Sequence, residues 1–201
     1  SFGRDIKFDL KRVEGYRNFC NKLWNASRFV LINLESKSIN VNAVLSNQDK
    51  WILSRLQHTK IEVEKHLADY RLDLMSQTLY EFVWHDYCDW YLELSKPLLE
   101  NNKTKQGCEA TLLKVLSETL VLLHPIIPFI TEEIFEQSQK LHSSSDEKLI
   151  SQAFPEPEEA LFNNEAESEG ESWLHRLETE MLSMIATPDH HWMRAALSKT
   201  R

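Results

Sequence analysis

The sequence contains little glycine, only four residues in 201. Phosphate-binding loops depend on clustered glycines, and no such loop is present. The scarcity of glycine, together with apolar residues that recur at helical spacing, favours an all-α fold. No uninterrupted apolar stretch approaches the roughly 18–20 residues of a membrane span. The opening residues, Ser-Phe-Gly-Arg-Asp-Ile, lack the apolar core of a signal peptide. We therefore expect no association with a membrane.

Cysteine is also rare. Cys20, Cys88 and Cys108 are odd in number, widely spaced and contain no CxxC pair. This pattern favours reduced thiols over a disulfide framework and predicts a cytoplasmic location. It gives no reason to expect a metal site.

Positive charge is scarce overall but concentrated at one end. The formal net charge is −8, which argues against a general nucleic-acid binder and against DNA as a partner. Residues 1–34, however, hold seven Lys/Arg against three Asp/Glu, a balance of +4 that leaves −12 for the remainder. A basic segment on an acidic protein is suited to a focused phosphate contact. Ordinary variation along a solvated helix would produce the same imbalance.

The apolar periodicity predicts an antiparallel bundle of four to five helices over residues 9–141. The predicted helices are 9–33, 49–70, 73–96, 109–123 and 128–141. We expect Asp9 to cap the first helix, Pro97 to end the third, and His124 to secure the end of the fourth before Pro125. The first helix should turn one apolar face to the core, consisting of Val13, Tyr16, Cys20, Leu23, Ser27, Val30 and Leu34.

The chain changes character after residue 141. We predict a loop and acidic linker over 142–172, including a short extended piece at 149–155, and then a helical tail over 173–201 with its helix at 173–186. No function is assigned to this tail.

The opposite face of the first helix carries a polar stripe. Lys11, Asn18, Lys22, Asn25 and Phe29 fall within about 60° of one another at 100° per residue. Lysine contacts phosphate, asparagine offers paired donor and acceptor groups to base edges, and an exposed ring stacks an unpaired base. The polar stripe therefore predicts binding of single-stranded RNA.

Two arginines, Arg17 and Arg28, flank the polar stripe and are candidates for further phosphate contacts. Spacing alone is equally compatible with a simple alternative, a solvated helix face with Phe29 packed beneath a neighbouring helix.

Several runs of residues resemble one family. Residues 3–6 and 14–29, with the run Asn-Phe-Cys-Asn-Lys-Leu-Trp-Asn at 18–25, are similar to the start of the anticodon-binding domain of bacterial-type valyl-tRNA synthetases, class I aminoacyl-tRNA synthetases. Further matches are Cys-Asp-Trp-Tyr-Leu-Glu at 88–93 and His-Pro-Ile-Ile-Pro-Phe-Ile-Thr-Glu-Glu at 124–133. The resemblance covers residues 3–160.

This resemblance implies a helical bundle that grips the anticodon loop of valine tRNA. In the family, the residues aligned with Lys11, Lys22 and Phe29 contact anticodon bases, and some relatives carry arginine in place of Lys11. Residues 1–8 would connect the bundle to the catalytic domain of the same chain. The intact enzyme would attach valine to its tRNA with ATP.

The present sequence lacks the family's two ATP signatures, His-Ile-Gly-His and Lys-Met-Ser-Lys-Ser. We therefore expect no catalytic residue and no cofactor in this chain, which should be inactive alone. Two alternatives remain open at this point. One is the same domain of an isoleucyl-type enzyme, and the other is a helical protein–protein interaction module without an RNA role.

Other residue patterns have simpler interpretations. The aromatic residues Trp84, Tyr87, Trp90 and Tyr91 have the spacing of a bundle core. The acidic pairs Asp86/Asp89 and Glu132/Glu133 suggest caps and solvated charges rather than acid–base catalysts. His190-His191 is too small a set to indicate a metal site.

Overall fold

The computed structural model describes residues 9–34, 43–142 and 147–186, and its regular secondary structure within these ranges is entirely helical. The all-α prediction is therefore confirmed. The described residues divide into two compact units, one ending at Phe162 and the other beginning at Asn163. The α-helices of the first unit are α1 Leu10–Asn33, α2 Asn47–Ala68, α3 Leu72–Glu81, α4 Leu92–Glu100, α5 Lys105–Leu123 and α6 Pro128–His142, and the second unit contains α7 Asn164–Ala186.

A π-helical segment, Phe82–Tyr91, joins α3 to α4, so that 72–100 form one continuous helix. With this helix counted once, the first unit contains five long helices among the described residues, as the periodicity predicts. Helix α2 packs against α3, the π segment and α5, while α5 also contacts α1, α4 and α6. The core of the bundle therefore lies along α2 and α5.

Polar caps begin the first two helices. The Asp9 side chain accepts a hydrogen bond from the backbone N–H of Lys11 at 2.9 Å, which confirms the predicted N-cap of α1. Ser46 and Asp49 form a capping box at the start of α2. This capping box sets the beginning of α2 two residues before the predicted one.

Pro97 does not end the third helix, and that prediction is wrong. The helix continues through Pro97 to Glu100. A proline inside a helix removes one hydrogen bond to the carbonyl four residues earlier, which here belongs to the exposed residue Glu93. One missing bond in the final turns of a packed helix is tolerated.

The predicted core face of α1 is correct only in its second half. Leu23, Ser27 and Val30 are buried, whereas Val13 and Tyr16 are 48% and 67% exposed. The first two turns of α1 have apolar residues on the predicted side, but the described elements of this unit leave them largely exposed. Periodicity identifies the apolar side of a helix and does not identify how far the neighbouring helices extend along it.

A buried hydroxyl–carboxylate contact joins α2 to the end of the π segment. The Tyr91 hydroxyl donates to Asp49 Oδ1 at 2.5 Å, and Asp49 Oδ2 accepts from the Ser46 hydroxyl and backbone N–H at 2.7 and 2.9 Å. Tyr87 and Tyr91 are fully buried, as expected of core residues, and Cys108 lies beside Tyr91. Burial raises the pKa of both tyrosines well above its ordinary value.

Lys60 is a buried cation that ties three parts of the bundle together. Its ammonium lies 2.5 Å from Glu118 Oε2 on α5, and it donates to Gln57 Oε1 on α2 and to the backbone carbonyl of Glu156, each at 3.1 Å. The backbone N–H of Glu158 donates to Gln57 Oε1 at 2.9 Å. The segment after α6 is thereby held against α2 and α5. Breaking such a buried pair costs about 3–5 kcal/mol, because the remaining charge is left unpaired.

The sharp turn between α5 and α6 contains the predicted histidine contact. His124 Nδ1 and Thr131 Oγ1 are 2.9 Å apart, and the Thr131 hydroxyl also lies 3.0 Å from the carbonyl of Ile127. His124 secures the end of α5, which confirms its predicted role.

The later part of the chain is more helical than predicted. Leu149–Ser151 is a 3₁₀ turn rather than an extended piece, and a second 3₁₀ turn occupies Glu159–Leu161. Helix α7 begins at Asn164, nine residues before the predicted start of the tail helix. The Asn163 side chain accepts from the backbone N–H of Ala166 and so caps α7. The division of the chain into domains remains a prediction, and residues 1–8 lie outside the described residues.

Among the described residues, none of the helices combines the length and the apolar character that crossing a bilayer demands.

Gly107 and Gly15 form a matched pair for a test of packing. A Cβ atom at Gly107 on α5 would lie 2.3 Å from the backbone carbonyl oxygen of Val44, whereas one at Gly15 on α1 would meet nothing within 4 Å. We expect Gly107→Ala to lower the free energy of unfolding by about 1–3 kcal/mol through overpacking. Gly15→Ala should raise it by about 0.5–1 kcal/mol through helix propensity. Urea unfolding of both variants measures the two effects, and an equal response would contradict the close approach.

Two buried thiols should make the fold sensitive to alkali. Burial raises the pKa of Cys88 and Cys108 to about 12, whereas an unfolded cysteine titrates near about 8.5. The folded state therefore retains protons that the unfolded state loses, and its stability falls as the pH rises from about 8.5 towards 12. We expect a loss on the order of 1 kcal/mol per thiol per pH unit in that range. Urea unfolding at pH 7.5 and 9.5 measures the loss, which Cys88→Ala and Cys108→Ala should each reduce.

Candidate nucleic-acid interface

The polar stripe lies along one side of α1, and its members differ in exposure. Lys11, Asn18 and Asn25 are exposed, whereas Lys22 and Phe29 are half-buried. From the first member to the last, the stripe spans about 27 Å at a rise of about 1.5 Å per residue. Lys22 contacts the continuous helix 72–100, which runs beside α1, and Phe29 lines a cleft whose walls include the end of that helix.

Lys22 is held in place by two side chains of the π segment. Its ammonium forms an ion pair with Asp89 and lies 3.9 Å from the centre of the Trp84 ring. The second carboxylate oxygen of Asp89 is 3.4 Å from His85 Nδ1. Lys22 is therefore ordered and largely charge-compensated.

Three aromatic rings form a ladder beside Lys22. Phe19 stacks on Tyr80 with ring centres 5.2 Å apart, and Tyr80 stacks on Trp84 at 5.4 Å. Such pairs contribute about 0.5–1.5 kcal/mol each beyond the area they bury. The ladder fixes the orientation of the Trp84 ring under the Lys22 ammonium.

The π-helical backbone explains how these side chains meet α1. The backbone N–H of Leu92 donates to the carbonyl of Tyr87, five residues earlier. Trp84 and Asp89 are also five residues apart, and an α-helix at about 100° per residue would point them about 140° away from each other. The wider π turn brings both towards Lys22. Segments of this kind are rare and are frequent at functional sites.

Phe29 lines a small cleft between α1 and the end of α4. The cleft has a volume of about 260 Å³, and its walls are Phe29, Asn33, Lys96, Leu99, Glu100 and Lys105. Lys96 is paired with Glu93 at 2.6 Å, and the Asn33 amide donates to the carbonyl of Phe29 at 2.7 Å. Phe29 is half-buried at this cleft, so part of its side chain is accessible to solvent.

The two flanking arginines lie in different surroundings. Arg17 is exposed and pairs with Glu14 at 3.2 Å. Arg28 is exposed too, and it borders a cleft of about 360 Å³ that includes Ile134 and Gln137 of α6. Arg28 therefore lies towards α6, whereas the neighbouring Phe29 lies towards the end of α4.

The acidic pairs singled out in the sequence are split in the structure. Asp86 accepts a hydrogen bond from Arg55 at 2.9 Å, while Asp89 faces Lys22. Burial raises the pKa of Asp86, and the charge of Arg55 opposes this shift. Glu132 accepts from the backbone N–H of Leu149, and Glu133 accepts from the Gln137 amide. Asp86 and Asp89 therefore join the π segment to α2 and to α1, rather than capping a helix as the sequence suggested.

The described ranges contain no group of three or more potential metal ligands, and His190-His191 lies outside them.

Sequence reasoning did not connect three residues to the polar stripe: Tyr80, Trp84 and Asp89. Asp89 is notable in the sequence only as part of the run at 88–93 that carries the family resemblance and of the acidic pair Asp86/Asp89. Its contact with Lys22 spans 67 residues and depends on the π segment. A period of 3.6 residues cannot reveal such a contact.

The family model for the anticodon-binding domain of tRNA ligase matches residues 49–186. The match begins in α2, so α1 and its polar stripe lie before it.

Full-length relatives extend the similarity. The valine–tRNA ligase of Legionella pneumophila strain Lens is 49% identical over 176 residues, which are 84% of this chain and 19% of that protein. The valine–tRNA ligase of Acinetobacter baylyi is 44% identical over 182 residues, 87% of this chain and 19% of that protein. That of Francisella tularensis subsp. tularensis is 45% identical over 188 residues, 92% of this chain and 20% of that protein.

The chain therefore spans about a fifth of the length of the curated relatives it matches. The family model matches more than half of the chain's residues. The five helices of the first unit and the turn at His124 between α5 and α6 agree with this match. This chain belongs to the family of anticodon-binding domains of tRNA ligases.

Proposed function

We propose that this chain is the anticodon-binding part of a valine–tRNA ligase and that it binds the anticodon loop of valine tRNA. The observation that carries the proposal is 44–49% identity to valine–tRNA ligases over most of the chain. The polar stripe supports it, because lysine, asparagine and an aromatic ring lie in one row along α1. These are the side chains that bind single-stranded RNA.

The roles within the polar stripe follow from exposure and chemistry. Lys11 is exposed and suited to a phosphate contact, with Arg17 and Arg28 as flanking contacts. Phe29 offers the accessible part of its ring to an unpaired base, and Asn18 and Asn25 offer donor and acceptor groups to base edges. A wrong anticodon would leave some of these polar groups unpaired and would bind less well.

The intact enzyme would use ATP to attach valine to its tRNA. Its catalytic domain would lie elsewhere in the longer polypeptide, because this chain lacks the two ATP signatures and has no glycine-rich phosphate loop. The present chain would contribute anticodon binding rather than catalysis. A cytoplasmic location is part of the same proposal.

The three relatives described above are valine–tRNA ligases, which favours valine over isoleucine. Binding of the 201-residue chain to valine, isoleucine and unrelated tRNAs tests this choice. We expect the valine tRNA to bind most tightly, because specific anticodon contacts add to a shared electrostatic term. Tighter binding of isoleucine tRNA would favour the isoleucyl-type alternative, and equal binding of all three or none would contradict an anticodon-binding role.

Lys11 and Phe29 should contribute to tRNA binding in different ways. Lys11→Ala should weaken binding and reduce the dependence of log K on log salt by about 0.7, the value for one phosphate contact to a single strand. Phe29→Ala should cost about 1–3 kcal/mol of binding free energy and leave that salt slope unchanged, because stacking releases no counterions.

Melting temperatures of the same two variants provide the control. Phe29 is half-buried, so its truncation is expected to reduce stability as well. If the folded fraction of Phe29→Ala binds tRNA like the unaltered chain, Phe29 is a packing residue and does not stack a base.

A further inference from the structure

Among the described residues, a carboxylate compensates the charge of Lys22, which distinguishes it from Lys11, the other basic member of the polar stripe. The Lys22 side chain is only 24% exposed and forms an ion pair with Asp89. The same ammonium lies 3.9 Å from the centre of the Trp84 ring. Asp89 is in turn approached by His85 Nδ1 at 3.4 Å. Among the described residues, the Lys22 ammonium therefore contacts a carboxylate, that of Asp89, and the face of an aromatic ring, that of Trp84.

This arrangement is unfavourable for a phosphate. An RNA phosphate in contact with the Lys22 ammonium would also lie close to the Asp89 carboxylate. The attraction of the phosphate to the Lys22 ammonium and its repulsion by the Asp89 carboxylate depend on distance in the same way. They therefore largely cancel when the phosphate is about equally far from both groups. A neutral acceptor, such as a carbonyl oxygen or ring nitrogen on a base edge, meets no comparable repulsion.

The ammonium keeps donor capacity for such an acceptor. A lysine ammonium has three N–H donors. One of them is directed to Asp89 Oδ1, which leaves two for other acceptors. A free lysine must give up considerable rotamer freedom when it binds at one point. The carboxylate and the Trp84 ring impose this order before any ligand arrives. The π segment supplies both groups, and the stack of Trp84 on Tyr80 holds the ring.

We propose that Asp89 is a positioning residue for RNA specificity. It holds the Lys22 ammonium over Trp84 and compensates its charge, so that Lys22 donates to a neutral acceptor on the edge of an unpaired base and not to a phosphate. This inference rests on the proposed function and concerns how one residue of the same interface discriminates between RNAs.

The test compares two RNAs across a range of salt concentrations. The 201-residue chain is titrated with the anticodon stem–loop of a valine tRNA and with a stem–loop that carries an unrelated anticodon. Asp89→Asn removes the compensating charge and leaves the side-chain size nearly unchanged. We expect its affinity for the valine stem–loop to fall about tenfold, the size of one hydrogen bond to a charged group. Its affinity for the unrelated stem–loop should rise, and the salt slope should increase by about 0.7 as the released lysine contacts phosphate.

Three further variants separate positioning from a general charge effect. Asp86→Asn changes the net charge equally but removes the partner of Arg55 instead, so it should leave the ratio of the two affinities unchanged. Asp89→Glu retains the carboxylate and should recover most of that ratio with the original salt slope. Lys22→Ala should weaken binding to the valine stem–loop without changing the slope, unlike Lys11→Ala.

Two results would overturn the proposal. If Asp89→Asn strengthens binding to both stem–loops equally, Asp89 is only a competing charge and Lys22 contacts phosphate. If Asp89→Asn alters neither the affinity ratio nor the slope, the ion pair has no part in specificity. Failure of the proposed function would look different, because the unaltered chain would then fail to distinguish the two stem–loops at all.

Discussion

The buried ammonium group of Lys60 imposes the constraint on which the packing of the bundle depends. A desolvated charge requires partners at fixed positions, and these come from α2, from α5 and from the segment after α6. Lys114 reinforces the arrangement, since its ammonium lies 2.8 Å from Glu118 and 2.7 Å from Glu158. The Lys60–Glu118 ion pair therefore joins α2 to α5, while α1 packs against α5 and the π segment packs against α2.

The π segment links the core of the bundle to the candidate interface. Its end is anchored in the core, where Tyr91 donates to the buried carboxylate of Asp49. Its earlier residues face α1, where Trp84 and Asp89 hold Lys22. A ten-residue stretch of uncommon helix thus connects a fully buried polar contact of the bundle to the polar stripe. The backbone geometry that departs from the ordinary helix is found beside the interface, which agrees with the frequent location of π turns at functional sites.

The distribution of charge is compatible with selective rather than general RNA binding. The chain carries a net charge of −8, so nonspecific attraction to a polyanion is weak and only local features can favour contact. On α1, the ammonium of Lys22 and the guanidinium of Arg17 are paired with carboxylates, and Lys11 is exposed. An interface with few uncompensated cations gains little from counterion release. Under the proposed function, discrimination then depends on stacking and on hydrogen bonds to base edges.

The sequence by itself determined the helical class, the limits of α1 and α6 to within a residue, the cap at Asp9, the elbow at His124 and the side of α1 that carries the polar stripe. These features depend on local spacing and on capping chemistry, which a single helix expresses alone. The tertiary structure decided that Val13 and Tyr16 are exposed, that the helix passes through Pro97, and that Lys22 meets Asp89. The exposure of Val13 and Tyr16 depends on how far the neighbouring helices extend, and the Lys22–Asp89 contact depends on the π turn. The passage through Pro97 depends on packing that tolerates one missing hydrogen bond. A period of 3.6 residues carries no information about any of these.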